Sequence, residues 1–140
     1  MAKTIETSII IEEKPEKIWS IMMDFESYPK WNPFIKSIKS DGSLTKGSKL
    51  EVVLNGVKMK PKVLKNEKYE FTWLGSLLLP KIFDGEHIFM LEAMDGKTKF
   101  IHKENFRGIL VQPLLKMIGK KTKKGFENMN EALKILAESS

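Results

Sequence analysis

The sequence predicts an α+β fold in which an antiparallel sheet is followed by one long helix. Three observations predict it. Apolar and polar residues alternate from the start of the chain; two turn dipeptides, Asn55-Gly56 and Asp95-Gly96, sit between further alternating runs; and from about Leu110 the apolar period changes from 2 to 3.6. At 140 residues the chain is long enough for one domain with a real core and short for two, so residues 1–140 are read as a single domain. Its 41% hydrophobic and 30% charged residues match a globular protein, not a disordered or fibrous one.

In "MAKTIETSIIIEE", Ile5, Thr7, Ile9 and Ile11 share one face, and Glu6, Ser8 and Glu12 share the other, as in a strand with one buried side. "KPEKIWSIMMDF" follows as a short amphipathic helix: Pro15 suits its first turn, Glu16 its positive end, and Ile18, Ile21, Met22 and Phe25 fall at helical spacing. The next stretch, "DFESYPKWNPFIKSI", holds four of the thirteen aromatics and two of the six prolines, with neither histidine nor cysteine. Proline opposes regular helix or strand there, and no acid, base or nucleophile has a partner, so the stretch reads as a wall of rings. Asp24 and Asn32 read as turn and cap residues.

In "LEVVLNGVKMKPKVL", a two-residue turn sets Leu54 opposite Val57 and Val52 opposite Met59, with Leu50, Val52, Leu54, Val57, Met59 and Val63 on the buried side. Pro61 marks an edge or a bulge. "YEFTWLG" continues with Tyr69, Phe71 and Trp73 on one face. "LGSLLLPKIFDG" gathers Leu74, Leu77, Leu78, Leu79, Ile82 and Phe83 where a hairpin connection is ordinarily polar; it is either buried or exposed as a lid or membrane-touching tip.

"GEHIFMLEAMDGKTKFIHKENFRG" is the most informative hairpin. Its turn pairs Met94 with Lys97, Leu91 with Phe100, Phe89 with His102 and His87 with Glu104. Both histidines then share an inward side with Trp73, Phe89, Leu91, Phe100 and Phe106, while Glu86, Glu92, Lys99, Lys103 and Asn105 face outward beside Ile88, Met90 and Ile101. Beyond it, Pro113 opens a helix whose stripe is Leu115, Ile118, Thr122, Phe126, Met129, Leu133 and Leu136. Roughly 25 residues at 1.5 Å each span nearly 40 Å, so this helix lies across the whole sheet. Gly119 and Gly125 each cost it about 1 kcal/mol against alanine, which points to close approach or to simple tolerance.

Without cysteine, a disulfide scaffold, a thiolate nucleophile and Cys-ligated metal sites are excluded. Glu6 and Ser8 interrupt the first apolar run, unlike a signal peptide, and no apolar stretch approaches the ~20 residues of a membrane span; a cytoplasmic protein is expected. Of the net +6 charge, Lys116, Lys120, Lys121, Lys123 and Lys124 are clustered, but no aromatic is interleaved to stack bases. They read as the solvated face of a helix, with no nucleic-acid partner, no stable membrane insertion, and room for transient contact with an anionic bilayer beside Lys81.

His87, His102 and Glu104 are the candidate chemistry. A polar cluster facing an apolar interior is satisfied by itself, by water or by a ligand. The trio is thus an internally bonded structural group, or it orients a carbonyl or hydroxyl of a bound molecule, or it serves as general base and acid. Two histidines and a carboxylate are also a known zinc set.

The stretches "PEKIWSIMMDFESYPKWNPFIKSI", "GEHIF", "FIHKENFRG" and "GFENMNEALKILAE" carry a resemblance covering nearly the whole chain. The sequence resembles the START-like (SRPBCC) superfamily, and within it the polyketide cyclase/dehydrase and lipid-transport branch. The resemblance implies a helix-grip fold, a curved antiparallel sheet of about seven strands around the long C-terminal helix, with a cavity between them for a hydrophobic or amphipathic small molecule. It implies neither cofactor nor metal, and no single reaction, because members include carriers, sensors and cyclases. The residues expected to line such a cavity are Trp31, Phe34, Val52, Met59, Trp73, His87, Phe89, Phe100, His102, Glu104, Phe106, Phe126 and Met129. Three functions follow: binding or transport of a lipid-, polyketide- or isoprenoid-like molecule; an enzyme using His87, His102 and Glu104 for proton transfer; or a protein that docks on a membrane or macromolecule.

Overall fold

The structure, a computed structural model, describes residues 2–54, 56–77, 79 and 81–139. The elements run β1 (Ala2–Ile11), α1 (Pro15–Met23), a single 3-10 turn (Phe25–Ser27), α2 (Tyr28–Trp31), β2 (Ser37–Ser40), β3 (Leu50–Val53), β4 (Lys58–Met59), β5 (Lys62–Glu67), β6 (Glu70–Leu77), β7 (Phe83–Met94), β8 (Lys97–Arg107) and α3 (Val111–Ser139). One section of sheet has the order β1-β8-β7-β6-β5 and the other β2-β3-β4; a bridge between Lys49 and Lys62 joins them. Every pairing is antiparallel.

Turn chemistry sets the register as the sequence predicts. Gly96 supplies the left-handed backbone (φ +74°) of the β7–β8 turn, and Met94 pairs with Lys97, Leu91 with Phe100, Phe89 with His102 and His87 with Glu104. Across β3–β4, Val52 pairs with Met59 and the Leu54 N–H bonds the Val57 carbonyl; Asn55 of that turn lies outside the described residues. Chain order then brings β1 back beside β8, with Thr7 opposite His102 and Ile5 opposite Glu104.

Four expectations are corrected. Residues 24–38 are not irregular throughout: Pro29 is the second residue of the short α2, where its missing N–H costs nothing, and Pro33 falls just after it. Eight strands occur among the described residues, in keeping with the about seven expected, and β2 is the one the sequence pattern did not mark. Pro61 ends β4 after two residues and stands where the chain passes to the other section, its carbonyl accepting the Leu50 N–H, and Val57 at the β3–β4 tip is exposed instead of buried. The apolar run 74–83 is mostly strand, since β6 reaches Leu77 and β7 starts at Phe83; Phe83 is buried, Leu79 is 68% exposed, and Leu78 and Pro80 lie outside the described residues.

The fourth correction concerns α3. At 29 residues it is longer than expected, and Val111, Phe126, Met129, Asn130, Leu133 and Ala137 are its buried residues. Leu115 and Thr122 are only half-buried and Ile118 is 38% exposed, so the first half of the expected stripe is not sealed against the sheet. The core is accordingly in two parts. The larger holds Tyr28, Phe71, Trp73, Phe89, Phe100, Met129 and Leu133 among others; the smaller holds Phe83, Phe106 and Val111, with Ile5, Leu114 and Leu115 packed on it.

Candidate functional site

Because side chains alternate along a strand, the inner face of the sheet reads in rows. Thr7, His102, Phe89 and Phe71 make one row, and Ile5, Glu104, His87 and Trp73 the next. Beyond them come Phe106, Gly85 and Gly75. The polar residues thus lie between the two parts of the core.

They form one chain of polar contacts, hydrogen-bonded from His87 through His102 and Asn130 to Thr7. His87 Nδ1 is 3.3 Å from Glu104 Oε1, and His87 Nε2 is 2.7 Å from His102 Nε2. On the far side of His102, Nδ1 lies 3.0 Å from Asn130 Oδ1; Asn130 Nδ2 donates to Thr7 Oγ1 (2.9 Å), and Thr7 Oγ1 donates to the His102 carbonyl (2.9 Å). His87, His102 and Asn130 are all buried, and Glu104 keeps a small exposure, its side chain 14% accessible.

Donor counting orients the chain. The His102 carbonyl can only accept, so Thr7 directs its one hydroxyl hydrogen there and accepts from the Asn130 amide. The Asn130 oxygen therefore faces His102 Nδ1, which carries a hydrogen. Burial first, then the neighbouring His87, holds the His102 pKa well below the usual imidazole range, although the Asn130 hydrogen bond opposes this. His102 is neutral, its Nε2 is a bare acceptor, and His87 Nε2 must be the donor in the contact between them.

Rings enclose the pair. His102 stacks on Phe126 with centroids 4.1 Å apart, Trp73 stacks on His87 at 5.1 Å, and Phe89 lies 4.7 Å from His87 and 4.8 Å from His102. Phe34 enters from the aromatic segment, 5.3 Å from Phe126 and 6.4 Å from His87. Its way in is Gly125 of α3: a Cβ there would meet Phe34 Cδ1 at 2.6 Å. Gly119 has no such neighbour, its nearest being Leu115 Cβ at 3.9 Å.

The chamber expected between sheet and helix is filled around the histidines by these side chains. Open depressions of about 460 and 350 Å³ lie elsewhere, one along Lys39, Asp41, Lys49, Glu51 and Lys60, the other along Ile21, Asp24, Ser27, Lys30, Trp31 and Leu136. Of the thirteen residues expected to line a cavity, Phe34, Trp73, His87, Phe89, Phe100, His102, Glu104 and Phe126 come together here. Val52 and Met129 are buried in the larger core, and Met59 reaches over Gly75. Two stand apart: Phe106 packs on Phe83 in the smaller core because the glycine of its row gives it no inward neighbour, and Trp31 lies against Tyr28 at the rim. Asp24 accepts from Ser27, and Asn32 Oδ1 accepts the Phe34 and Ile35 N–H groups, both acting as turn residues. His87, His102 and Glu104 run in line instead of converging, and among the described residues no group of three or more His, Asp or Glu is arranged to hold a metal ion.

Sequence reasoning missed Asn130, Gly75 and Gly85. Asn130 could have been found as a polar residue four after Phe126, on an apolar helix face. The glycines stand alone inside strand patterns, which marks close approach of another group.

A curved antiparallel sheet gripping a long C-terminal helix, with an aromatic and histidine-bearing inner face, is the helix-grip architecture of START-like proteins. The chain belongs to the polyketide cyclase/dehydrase and lipid transport family, whose model matches residues 2–138. Three solved structures share the fold. The ZhuI aromatase/cyclase from Streptomyces sp. R1128 superposes with a TM-score of 0.78 at 10% identity, over 99% of this chain and 94% of that one. A START superfamily protein from Mycobacterium smegmatis gives 0.72 at 20%, over 96% and 97%. Ara h 8.0201 gives 0.76 at 19%, over the full length of both. No curated protein matches the sequence. Among the described residues no helix is long and apolar enough to cross a membrane.

Proposed function

We propose that this protein binds a hydrophobic or amphipathic small molecule, of lipid, polyketide or isoprenoid type, between its sheet and α3, and sequesters or carries it in the cytoplasm. The observation that carries this reading is the unsealed first half of α3 above an inner face of rings broken by a single polar chain. Burying apolar ligand surface against such rings is favourable by about 25 cal/mol per Å², and family membership supports the same class of ligand. Because Phe34 and Met59 fill space in this structure, binding requires these side chains to move. Native mass spectrometry of the purified protein after exposure to a cell lipid extract tests the reading: a retained small molecule is expected, and a bare protein across polar, neutral and isoprenoid extracts refutes it.

The hydrogen-bonded chain favours a second reading, an enzyme of the cyclase/dehydrase kind. A relay ending in a partly accessible carboxylate supports proton transfer to or from a bound carbonyl compound, with Glu104 and His87 exchanging the proton and His102 holding His87 in place. Glu104→Gln should then abolish turnover with the fold retained, and unchanged turnover removes the trio from any mechanism.

A further inference from the structure

The row Phe106, Gly85 and Gly75 leaves two adjacent strands without side chains on the inner face, since Gly75 and Gly85 are direct partners across β6 and β7. Two groups lean into the recess. Glu104 turns its second carboxylate oxygen, Oε2, over Gly85, where a Cβ would collide with it, and Met59 lays its terminal methyl over Gly75, 2.5 Å from where a Cβ would stand. The recess adjoins the smaller part of the core, to which Phe106 of the same row belongs. On α3, Leu115 packs on the Phe106 cluster and Phe126 stacks on His102, so the stretch between them, with Ile118 38% exposed, runs past the Glu104 row next to the recess.

The proton state of this recess follows from the chain behind it. Thr7 and Asn130 put the hydrogen on His102 Nδ1, so His87 Nε2 donates to His102. The remaining contact is the 3.3 Å approach of His87 Nδ1 to Glu104 Oε1. Because Oε1 is the oxygen that faces His87, Glu104 Oε2 is left to accept from a ligand. A ligand group that meets this oxygen must bring its own hydrogen.

Resting on the binding function proposed above, we propose that the Gly75–Gly85 recess seats the polar end of the ligand, that this end is a hydroxyl donating to Glu104 Oε2, and that Thr7 and Asn130 are positioning residues setting the preference through His102 and His87. Met59 is the removable cover: an unbranched thioether on a two-residue strand gives way with little loss of packing. The neighbouring Trp73 and His87 rings supply an apolar flank, so the hydroxyl is carried on an apolar skeleton.

The full chain is titrated with 2-naphthol and with 2-methoxynaphthalene, which share a skeleton and differ in the donor, while ligand fluorescence is followed. In the unsubstituted protein the naphthol should bind about fivefold to tenfold more tightly, the effect of one added hydrogen bond. Glu104→Leu, which removes the acceptor at similar volume, should erase most of that difference while the methyl ether still binds, and Gly85→Ala, whose methyl displaces the carboxylate, should do the same by a different route. Equal affinities in the unsubstituted protein, or an undiminished preference in both variants, overturn the inference and leave the binding function standing. Failure of both probes to bind overturns this inference, while the binding function is decided by the lipid-extract experiment. The relay is read separately by ¹⁵N-resolved histidine spectra of the ligand-free protein: a neutral His102 protonated at Nδ1 is expected, Thr7→Val should disturb it, and protonation at Nε2 in the unsubstituted protein overturns the donor count.

Discussion

Gly119 and Gly125 lie six residues apart on α3 and should respond to the same substitution with opposite signs. Alanine is favoured over glycine within a helix by about 1 kcal/mol. At Gly119 nothing opposes this gain, because the new methyl meets only Leu115 Cβ at 3.9 Å, an ordinary contact. At Gly125 the methyl would stand 2.6 Å from Phe34 Cδ1 and 2.8 Å from Cε1, about 1 Å inside the usual carbon separation. Phe34 has little room to retreat: His87, His102 and Phe126 surround its ring, and its N–H is held by Asn32. Overpacking of this kind costs about 1–3 kcal/mol, which outweighs the helix term. Gly119→Ala should therefore stabilise the fold by about 1 kcal/mol, and Gly125→Ala should leave it unchanged or lose up to about 2 kcal/mol. Urea unfolding followed by circular dichroism gives both values, provided the slope is common to the two variants. Equal stabilisation at both positions would show that Phe34 does not press on α3, and with it the packed state of the histidine pair would fall.

Stability should also drop as pH falls from about 6.5, where an unfolded histidine begins to bind a proton that buried His102 resists. The folded pKa is the lower one, so the contribution is complete above the unfolded value and is lost on acidification, at no more than about 1.4 kcal/mol per pH unit; unfolding midpoints between pH 7 and 5 should show this slope and His102→Gln should flatten it. Tyr28→Phe should cost about 1 kcal/mol, because the buried hydroxyl donates to the Met22 carbonyl at 2.6 Å. Burial, and then the charge of Asp24, also pushes the Tyr28 pKa far above the ordinary phenol range, so alkaline absorbance titration of the folded protein should show Tyr28 silent. Asn32→Ala leaves the Phe34 and Ile35 N–H groups without their acceptor and should lower denaturation free energy by about 1–3 kcal/mol, whereas Asn32→Asp retains an acceptor and should lose less.

The parts of this structure that could be read from sequence are those fixed within a few residues. Asp95-Gly96 determines a turn, the turn determines the β7–β8 register, and the register alone brings His87 opposite Glu104 and Phe89 opposite His102. Thr7 was placed on the buried face of β1 by simple alternation. What could not be read depends on how distant elements settle on one another. Asn130 meets His102 only because α3 crosses β8 at a particular axial position, 28 residues away in sequence and set by packing along the whole helix. The same long-range fit decides that Phe126, not Ile118, is buried, and that Phe34 enters opposite Gly125. Likewise, Pro61 announced an interruption, but the passage of the chain from one sheet section to the other is a tertiary event with no local residue signature.

The division of the core explains why a polar chain can be kept inside so small a protein. Burying two imidazoles, an amide and a carboxylate costs several kcal/mol unless each donor and acceptor is matched. Here the matching is nearly closed: Thr7, Asn130, His102 and His87 satisfy one another, and the series ends on the Glu104 carboxylate, whose side chain is 14% accessible. Replacing the chain by leucines of similar volume would be expected to stabilise the fold, since buried polar networks are seldom the most stable filling. Keeping it beside two glycines that remove packing from the neighbouring row compounds that cost at one place on the sheet. A fold selected for stability alone would place neither feature there, and on their coincidence rests the proposed seat for a ligand's polar end.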